Sequence, residues 1–395
     1  MKTATRCVQL GTGTDSHGAI VPPIYQTATF EQPTATEFGE FDYTRSGNPT
    51  RALVEEQLAN LEEGKFACAF ASGMAALTAL TRLVRSGDEI VAGAELYGGT
   101  VRLLERIAAT QNITVLYADT SNADSVRRIV TSRTRLILVE TPSNPTFRIA
   151  DIGKLSSIAH DVGALLAVDN SMLSPIFQRP LNHGADIVIH SATKFLGGHS
   201  DVTAGAVITS NPEVHELIAF QQNAEGAGLS PFDSWLLLRG LKTLSLRVRH
   251  QNDSAKKVAK FLESHSSVRK VFYPGLESNP GYEVHRNQAE GDGAVVSFTT
   301  GDPVLSARIA EATQLFRIAV SFGSVGATIS LPCRMSHASI PLALRHRLGP
   351  PEDLVRLSIG IEDVDDLLED LSQAFEVARV TANELECEVA LAASL

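Results

Sequence analysis

Long apolar runs are missing from this 395-residue chain. No stretch reaches the roughly 18 uninterrupted apolar residues of a membrane-crossing helix. Met1 to Asp15 has no apolar core of the kind a secretory signal needs, so a cytoplasmic protein is expected. Cysteine is scarce: Cys7, Cys68, Cys333 and Cys387 are scattered without CxxC or metal-type spacing, which argues against a disulfide framework and for free thiols in a reducing compartment. The 11 histidines form no HExxH or tight HxH cluster, so a metal site is not expected, and His199 and His337 read as structural. Positive charge is in deficit, with 34 Lys and Arg against 45 Asp and Glu and a net charge of −11. That balance excludes a broad nucleic-acid or anionic-membrane surface. Any working cation must therefore be a local site residue.

What remains is ordinary globular content, 44% hydrophobic and 20% charged, on a chain long enough for two cores. Residues 1 to about 60 are rich in Thr, Pro and Gly with little periodicity and read as an extended arm. From Phe66 to Val207 short apolar runs (Phe66 to Phe70, Glu89 to Ala92, Ile113 to Tyr117, Leu136 to Val139, Leu165 to Val168, Ile187 to Ile189, Ala206 to Ile208) alternate with amphipathic stretches. Gly73 to Val84, Thr100 to Thr110, Ala123 to Val130 and Ile152 to His160 are the helical candidates among them. Such alternation predicts an α/β domain with a mainly parallel sheet, helices on both faces and a site at the carboxyl ends of the strands. Phe232 to Ser264 reads as one long helical segment linking this domain to a smaller α+β domain. The expected division is an arm over 1–60, a large domain over 61–250 and a small C-terminal domain over 251–395, with Glu384 to Leu395 as a frayed tail.

The chemistry concentrates at strand ends. Ile187 to His190 is an apolar run that leads into Ser191, Ala192, Thr193 and Lys194, with Gly197 and Gly198 after it. A lysine delivered into an apolar interior is poorly solvated, which favours its neutral, nucleophilic form and lets it condense with an aldehyde. Taken alone, Lys194 reads better as a strand-end lysine snorkelling to solvent. Asp169 closes another apolar run 25 residues earlier. A lysine and a carboxylate on neighbouring strand ends is the arrangement expected for pyridoxal 5'-phosphate (PLP), whose ring nitrogen needs an anionic partner. Ser72, Gly73 and Met74 open an alanine-rich helix whose amides suit a phosphate, although the same three residues make an ordinary helix cap. Tyr97 follows the next strand and is placed either to stack on a flat ring or to sit in the core or at the surface.

Further motifs occur in a telling order: Asp42 to Thr50, Ala71 to Met74, Tyr97 to Thr100, Glu140 to Pro145, Val168 to Asn170, Ser191 to Lys194, Gly198 to Asp201 and Val355 to Ser358. In these the chain resembles the Cys/Met-metabolism family of PLP enzymes over roughly residues 5 to 378. The resemblance implies PLP fold type I, like that of aspartate aminotransferase. It implies Lys194 as the residue that carries the cofactor, Asp169 at the pyridine nitrogen and Tyr97 on the ring, with Lys194, Tyr97 and Asp169 as the catalytic set. Gly73, Met74, Ser191 and Thr193 would hold the phosphate, with Tyr43 and Arg45 reaching it from a neighbouring subunit of a homotetramer. Arg356 would bind the substrate α-carboxylate with Ser321 and Asn144, and Asn144 would also bond the phenolic oxygen of the cofactor. Asp42 and Arg102 match positions near the distal end of the substrate. The segment Ile318 to Pro341 is similar to plant-type cystathionine β-lyases, which implies β-elimination of L-cystathionine to homocysteine, pyruvate and ammonia. Cystathionine γ-lyase or γ-synthase activity, or β-elimination of other cysteine S-conjugates, is the alternative. Gly326 departs from all of these, standing where Glu or Lys is usual and so removing a side chain expected on the pocket wall. Gly99 stands where methionine γ-lyases typically have Cys.

Overall fold

The computed structural model describes residues 1–9, 17–336 and 349–393, with side chains to residue 380. His337 therefore lies outside the described residues, and so do Cys387 as a side chain and the last two residues of the expected tail.

The irregular N-terminal stretch ends earlier than expected. Asn48 accepts from the amides of Thr50 and Arg51, Pro49 occupies the first turn, and a helix runs over Pro49–Glu62. Its Val54, Leu58 and Leu61, at helical spacing, are fully buried. The preceding segment is tied to this helix where Tyr25 donates its amide to Thr50 Oγ1 at 3.0 Å and accepts from Asn48 Nδ2 at 2.9 Å.

Seven strands form the larger sheet: β1 (Phe66–Phe70), β2 (Glu89–Gly93), β3 (Thr114–Ala118), β4 (Thr134–Glu140), β5 (Leu165–Asp169), β6 (Ile187–His190) and β7 (Gly205–Thr209). Their spatial order is β1-β7-β6-β5-β4-β2-β3, parallel except that β7 runs antiparallel to both β1 and β6. Strands β2, β6 and β7 are buried throughout, as a sheet covered on both faces requires, which is why they read as apolar runs rather than alternating ones. A second sheet comprises β8 (Lys270–Phe272), β9 (Val295–Thr299), β10 (Arg317–Ile318), β11 (Thr328–Ser330) and β12 (Leu354–Ser358) in the order β10-β11-β12-β9-β8. Only its β10-β11 pair is parallel.

The segment expected as one helix over Phe232 to Ser264 is broken at Thr243 into helices Pro231–Lys242 and Leu244–Ser264. The buried Arg247 explains the break: its guanidinium donates to the Gly240 carbonyl at 2.8 Å and to Thr243 Oγ1 at 3.0 Å, replacing helical partners at the junction. A third bond, at 2.9 Å, holds the Phe195 carbonyl beside Lys194. The closing helix, Val364–Ala393, extends past the expected end at Val377 and over most of the expected tail. No helix among the described residues is long and apolar enough to cross a membrane.

Candidate active site

A cavity of about 470 Å³ opens at the carboxyl ends of β4, β5 and β6 and is closed on its other side by Arg356 of β12 and by the loops that follow β10 and β11. That is within the usual size range of a small-molecule site.

Lys194 sits in the tight turn after β6, where its amide donates to the Ser191 carbonyl at 3.1 Å and its own carbonyl accepts from Gly198 at 2.8 Å. The side chain enters the cavity and Nζ donates to Ser321 Oγ at 2.5 Å. Burial, and then the nearby Arg356 cation, lower its pKa to about 8, against the opposing pull of Asp169 and Glu140. Arg356 projects from β12, fully buried. Its Nη1 donates to Asn144 Oδ1 at 3.0 Å and its Nη2 to the Ser321 carbonyl at 2.8 Å, while Nε has no partner among the described residues. The ring of Phe322 faces both cations, 4.9 Å from Lys194 Nζ and 5.4 Å from the Arg356 guanidinium carbon, so a negative π face lies against two positive charges. Ser321 holds its position at φ 82, a left-handed conformation that costs a non-glycine residue about 1–2 kcal/mol.

Asp169 ends β5 and opens onto the cavity. Burial raises its carboxyl above the ordinary range, offset only in part by hydrogen bonds from Ser171, including the amide at 2.9 Å, and by His190 and Lys194. Beside it in register at the end of β4 stands Glu140, which accepts from the Tyr97 amide at 3.2 Å. Burial and the adjacent Asp169 raise the Glu140 carboxyl well above the ordinary carboxylate range.

The helix start expected to cradle a phosphate is built by close approach. The helix Gly73–Thr81 starts so near β6 that a Cβ on Gly73 would lie 2.9 Å from Ser191 Cβ and 3.0 Å from its Cα. Ser72 takes the amides of Ala75 and Ala76, whereas no group among the described residues accepts from those of Gly73 and Met74. Thr193 is on the cavity wall, but its hydroxyl is engaged twice with Ala204. Tyr97 caps the helix Gly98–Gln111 with its ring 41% exposed. A Cβ on Gly99 would meet Tyr97 Cε1 at 2.5 Å and Met74 Sδ at 3.0 Å, so this ring position requires glycine there.

One cavity thus gathers Lys194, Asp169, Tyr97, Asn144, Gly73, Met74, Ser191, Thr193, Ser321 and Arg356. Within a single chain it does not gather Tyr43, Arg45, Asp42 or Arg102. Tyr43 and Arg45 are exposed on the arm, stacked on each other at 5.5 Å, with Arg45 donating to Asn223. Arg102 is exposed on the helix after Tyr97 and is not among the residues that line the cavity. Gly326 is exposed too: the nearest atom to a Cβ there would be Glu362 Oε1 at 3.9 Å, so it is not on the cavity wall as expected. Glu140, Ser171 and Phe322 line the cavity and were not singled out from the sequence, although Glu140 closes an apolar run just as Asp169 does.

These residues fit PLP: unpaired helix-start amides and the Ser191 hydroxyl for a phosphate, a buried carboxyl for a ring nitrogen, and a lysine whose amine is readily freed. Comparison with known proteins agrees. The family profile described as Cys/Met metabolism PLP-dependent enzyme matches residues 4–376. The chain is 51% identical over 373 residues to a chloroplastic cystathionine β-lyase of Arabidopsis thaliana, covering 94% of this chain and 80% of that one. It is 44% identical to a cystathionine γ-lyase of Bacillus subtilis, covering 95% and 100%. Among solved structures, cystathionine γ-synthase from Xanthomonas oryzae pv. oryzae in complex with cystathionine superposes with a TM-score of 0.94 at 38% identity, covering 96% and 99%.

Proposed function

The chain belongs to the Cys/Met metabolism family of PLP-dependent enzymes, and from that premise we propose a carbon–sulfur lyase that cleaves L-cystathionine by β-elimination. The products are homocysteine, pyruvate and ammonia. The observation that carries this reading is the double use of Ser321: its hydroxyl takes the Lys194 amine and its carbonyl takes Arg356. An amine able to move a proton and a cation able to bind a carboxylate therefore flank one residue, as a site for an α-amino acid requires.

PLP, when bound, supplies an aldehyde for the substrate amine and an electron-withdrawing ring for the charge left at Cα. Lys194, Asp169, Tyr97, Asn144, Ser191, Thr193 and the amides of Gly73 and Met74 would hold it. Arg356 fixes the α-carboxylate and so aims the Cα–H bond at Lys194. With a pKa of about 8, the Lys194 amine is close enough to neutral to take that proton near physiological pH. As the Cβ–S bond breaks, its electron pair leaves on sulfur, and the lysine ammonium returns a proton to the thiolate. Asp169 would face the ring nitrogen of the bound cofactor and favour its protonated form. Hydrolysis of the three-carbon remainder yields pyruvate and ammonia. The preference for the β bond rests on the greater identity to the plant β-lyase than to the bacterial γ-lyase.

Purified, PLP-loaded protein given L-cystathionine should release homocysteine with pyruvate. Cysteine with 2-oxobutyrate would instead assign γ-elimination. The working assembly in this reading is a cytoplasmic homotetramer in which the arm of one copy brings Tyr43 and Arg45 to the cavity of another. Support comes from the exposure of both residues, and of Ile20 and Phe38 on the same arm. Sedimentation as four chains tests it.

A further inference from the structure

Behind the cavity lies a polar cluster that the chemistry above does not use. Glu62, at the end of the helix Pro49–Glu62, accepts on Oε1 from His190 Nε2 at 2.5 Å and from Asn170 Nδ2 at 2.8 Å. With Glu62 as a carboxylate, which can only accept, His190 Nε2 is the donor in this bond. Asn170 Nδ2 also reaches the Gln178 carbonyl at 2.8 Å, and Gln178 Nε2 donates to Asn170 Oδ1 at 3.1 Å and to the Thr141 carbonyl at 2.8 Å. All four side chains are at most 1% exposed. Glu62 Oε2 and Gln178 Oε1 have no partner among the described residues.

A carboxylate and an imidazole buried this deeply are a poor source of stability, because their desolvation offsets most of the attraction between them. Their place in the chain is more informative. Asn170 follows Asp169, Thr141 follows Glu140, and His190 immediately precedes the turn that carries Lys194. One network therefore ties together the carboxyl ends of β4, β5 and β6. His190 is also among the groups that pull the Asp169 carboxyl down against the burial that pushes it up.

We propose that Glu62 and His190 are positioning residues for Asp169, anchoring Asn170 and the strand end beside it so that its carboxylate stays aimed at the pyridine nitrogen of PLP. The inference rests on the PLP reading above. The test uses apoprotein and two probes, PLP and its 1-deaza analogue, which lacks the ring nitrogen, with binding followed by fluorescence. Wild-type protein should prefer PLP. Glu62→Gln, nearly isosteric, should raise the PLP dissociation constant about tenfold, as expected for one weakened charge-assisted hydrogen bond. Its affinity for the analogue should stay unchanged, so that the preference shrinks. His190→Gln, which breaks the pair from the other side, should behave in the same way. Equal weakening toward both probes, unchanged affinity for both, or failure of both variants to fold would each show a purely structural network and overturn the proposal. Failure of wild-type protein to bind PLP would instead remove the cofactor reading itself.

Discussion

Replacing Arg356 by lysine keeps a positive charge on β12 but removes the planar fork. The guanidinium already spends one N–H on Asn144 Oδ1 and one on the Ser321 carbonyl, and its unpartnered Nε, with the second hydrogen of each Nη, is left to meet a carboxylate. An ammonium offers three donors in all, and Asn144 and Ser321 compete for two of them. One charge-assisted hydrogen bond to the substrate is then lost, worth about 1.5–3 kcal/mol. At about 1.4 kcal/mol per decade, kcat/KM for L-cystathionine should fall roughly 10- to 150-fold. Arg356→Met removes the cation altogether and should cost more. The assay is steady-state pyruvate release by PLP-saturated protein, with circular dichroism to confirm folding. If Arg356→Lys keeps kcat/KM within threefold of wild type, Arg356 does not bind the carboxylate and the substrate lies elsewhere.

Lys194→Ala should abolish turnover while leaving PLP able to bind non-covalently, which loss of covalent labelling after borohydride treatment and retained cofactor fluorescence together report. In the apoprotein, Lys194 should react with an amine-directed label with a midpoint near pH 8, read by mass spectrometry; a midpoint above 10 contradicts the burial argument. The sign also governs stability: between about pH 8 and 10.5 the unfolded chain holds a proton that the folded amine does not, so this lysine's contribution to stability rises with pH across that window. Gly73→Ala should raise the PLP dissociation constant about tenfold, since its Cβ would meet Ser191 at 2.9 Å and the helix start must shift away from the phosphate; unchanged affinity would exclude the cradle. Arg45→Ala should increase PLP loss on dialysis without altering the chemical step, whereas a residue engaged only with Asn223 leaves occupancy unchanged.

The large sheet was legible because its strands are covered on both faces and stand out as short apolar runs; β5 and β6 begin where expected and extend one residue beyond the expected ends. The same pattern exposed Asp169 and Lys194, as charged residues that end such runs. Glu140 carries the identical signal, masked by its place inside the longer motif Glu140 to Pro145. The helix Pro49–Glu62 was hidden by the Gly- and Thr-rich stretch before it, although Asn48, Pro49 and the spacing of Val54, Leu58 and Leu61 announce it. Arg247 sits at the split of the expected long helix because it is buried, bonded to Gly240 and Thr243 and to the distant Phe195 carbonyl, and no residue type nearby foretells that burial. Arg102 and Gly326 were placed by family position alone, and within one chain neither reaches the cavity.

Lys194 belongs to the turn after β6 and Ser321 to the loop between β10 and β11, so their 2.5 Å bond crosses the seam between the two sheets. The amine that moves the proton is also a latch. Whatever occupies Nζ unfastens Ser321, and that residue's carbonyl is already in the grip of Arg356. Occupancy of one nitrogen thereby bears on the residue that Arg356 holds, making the seam a gauge of whether the lysine is engaged.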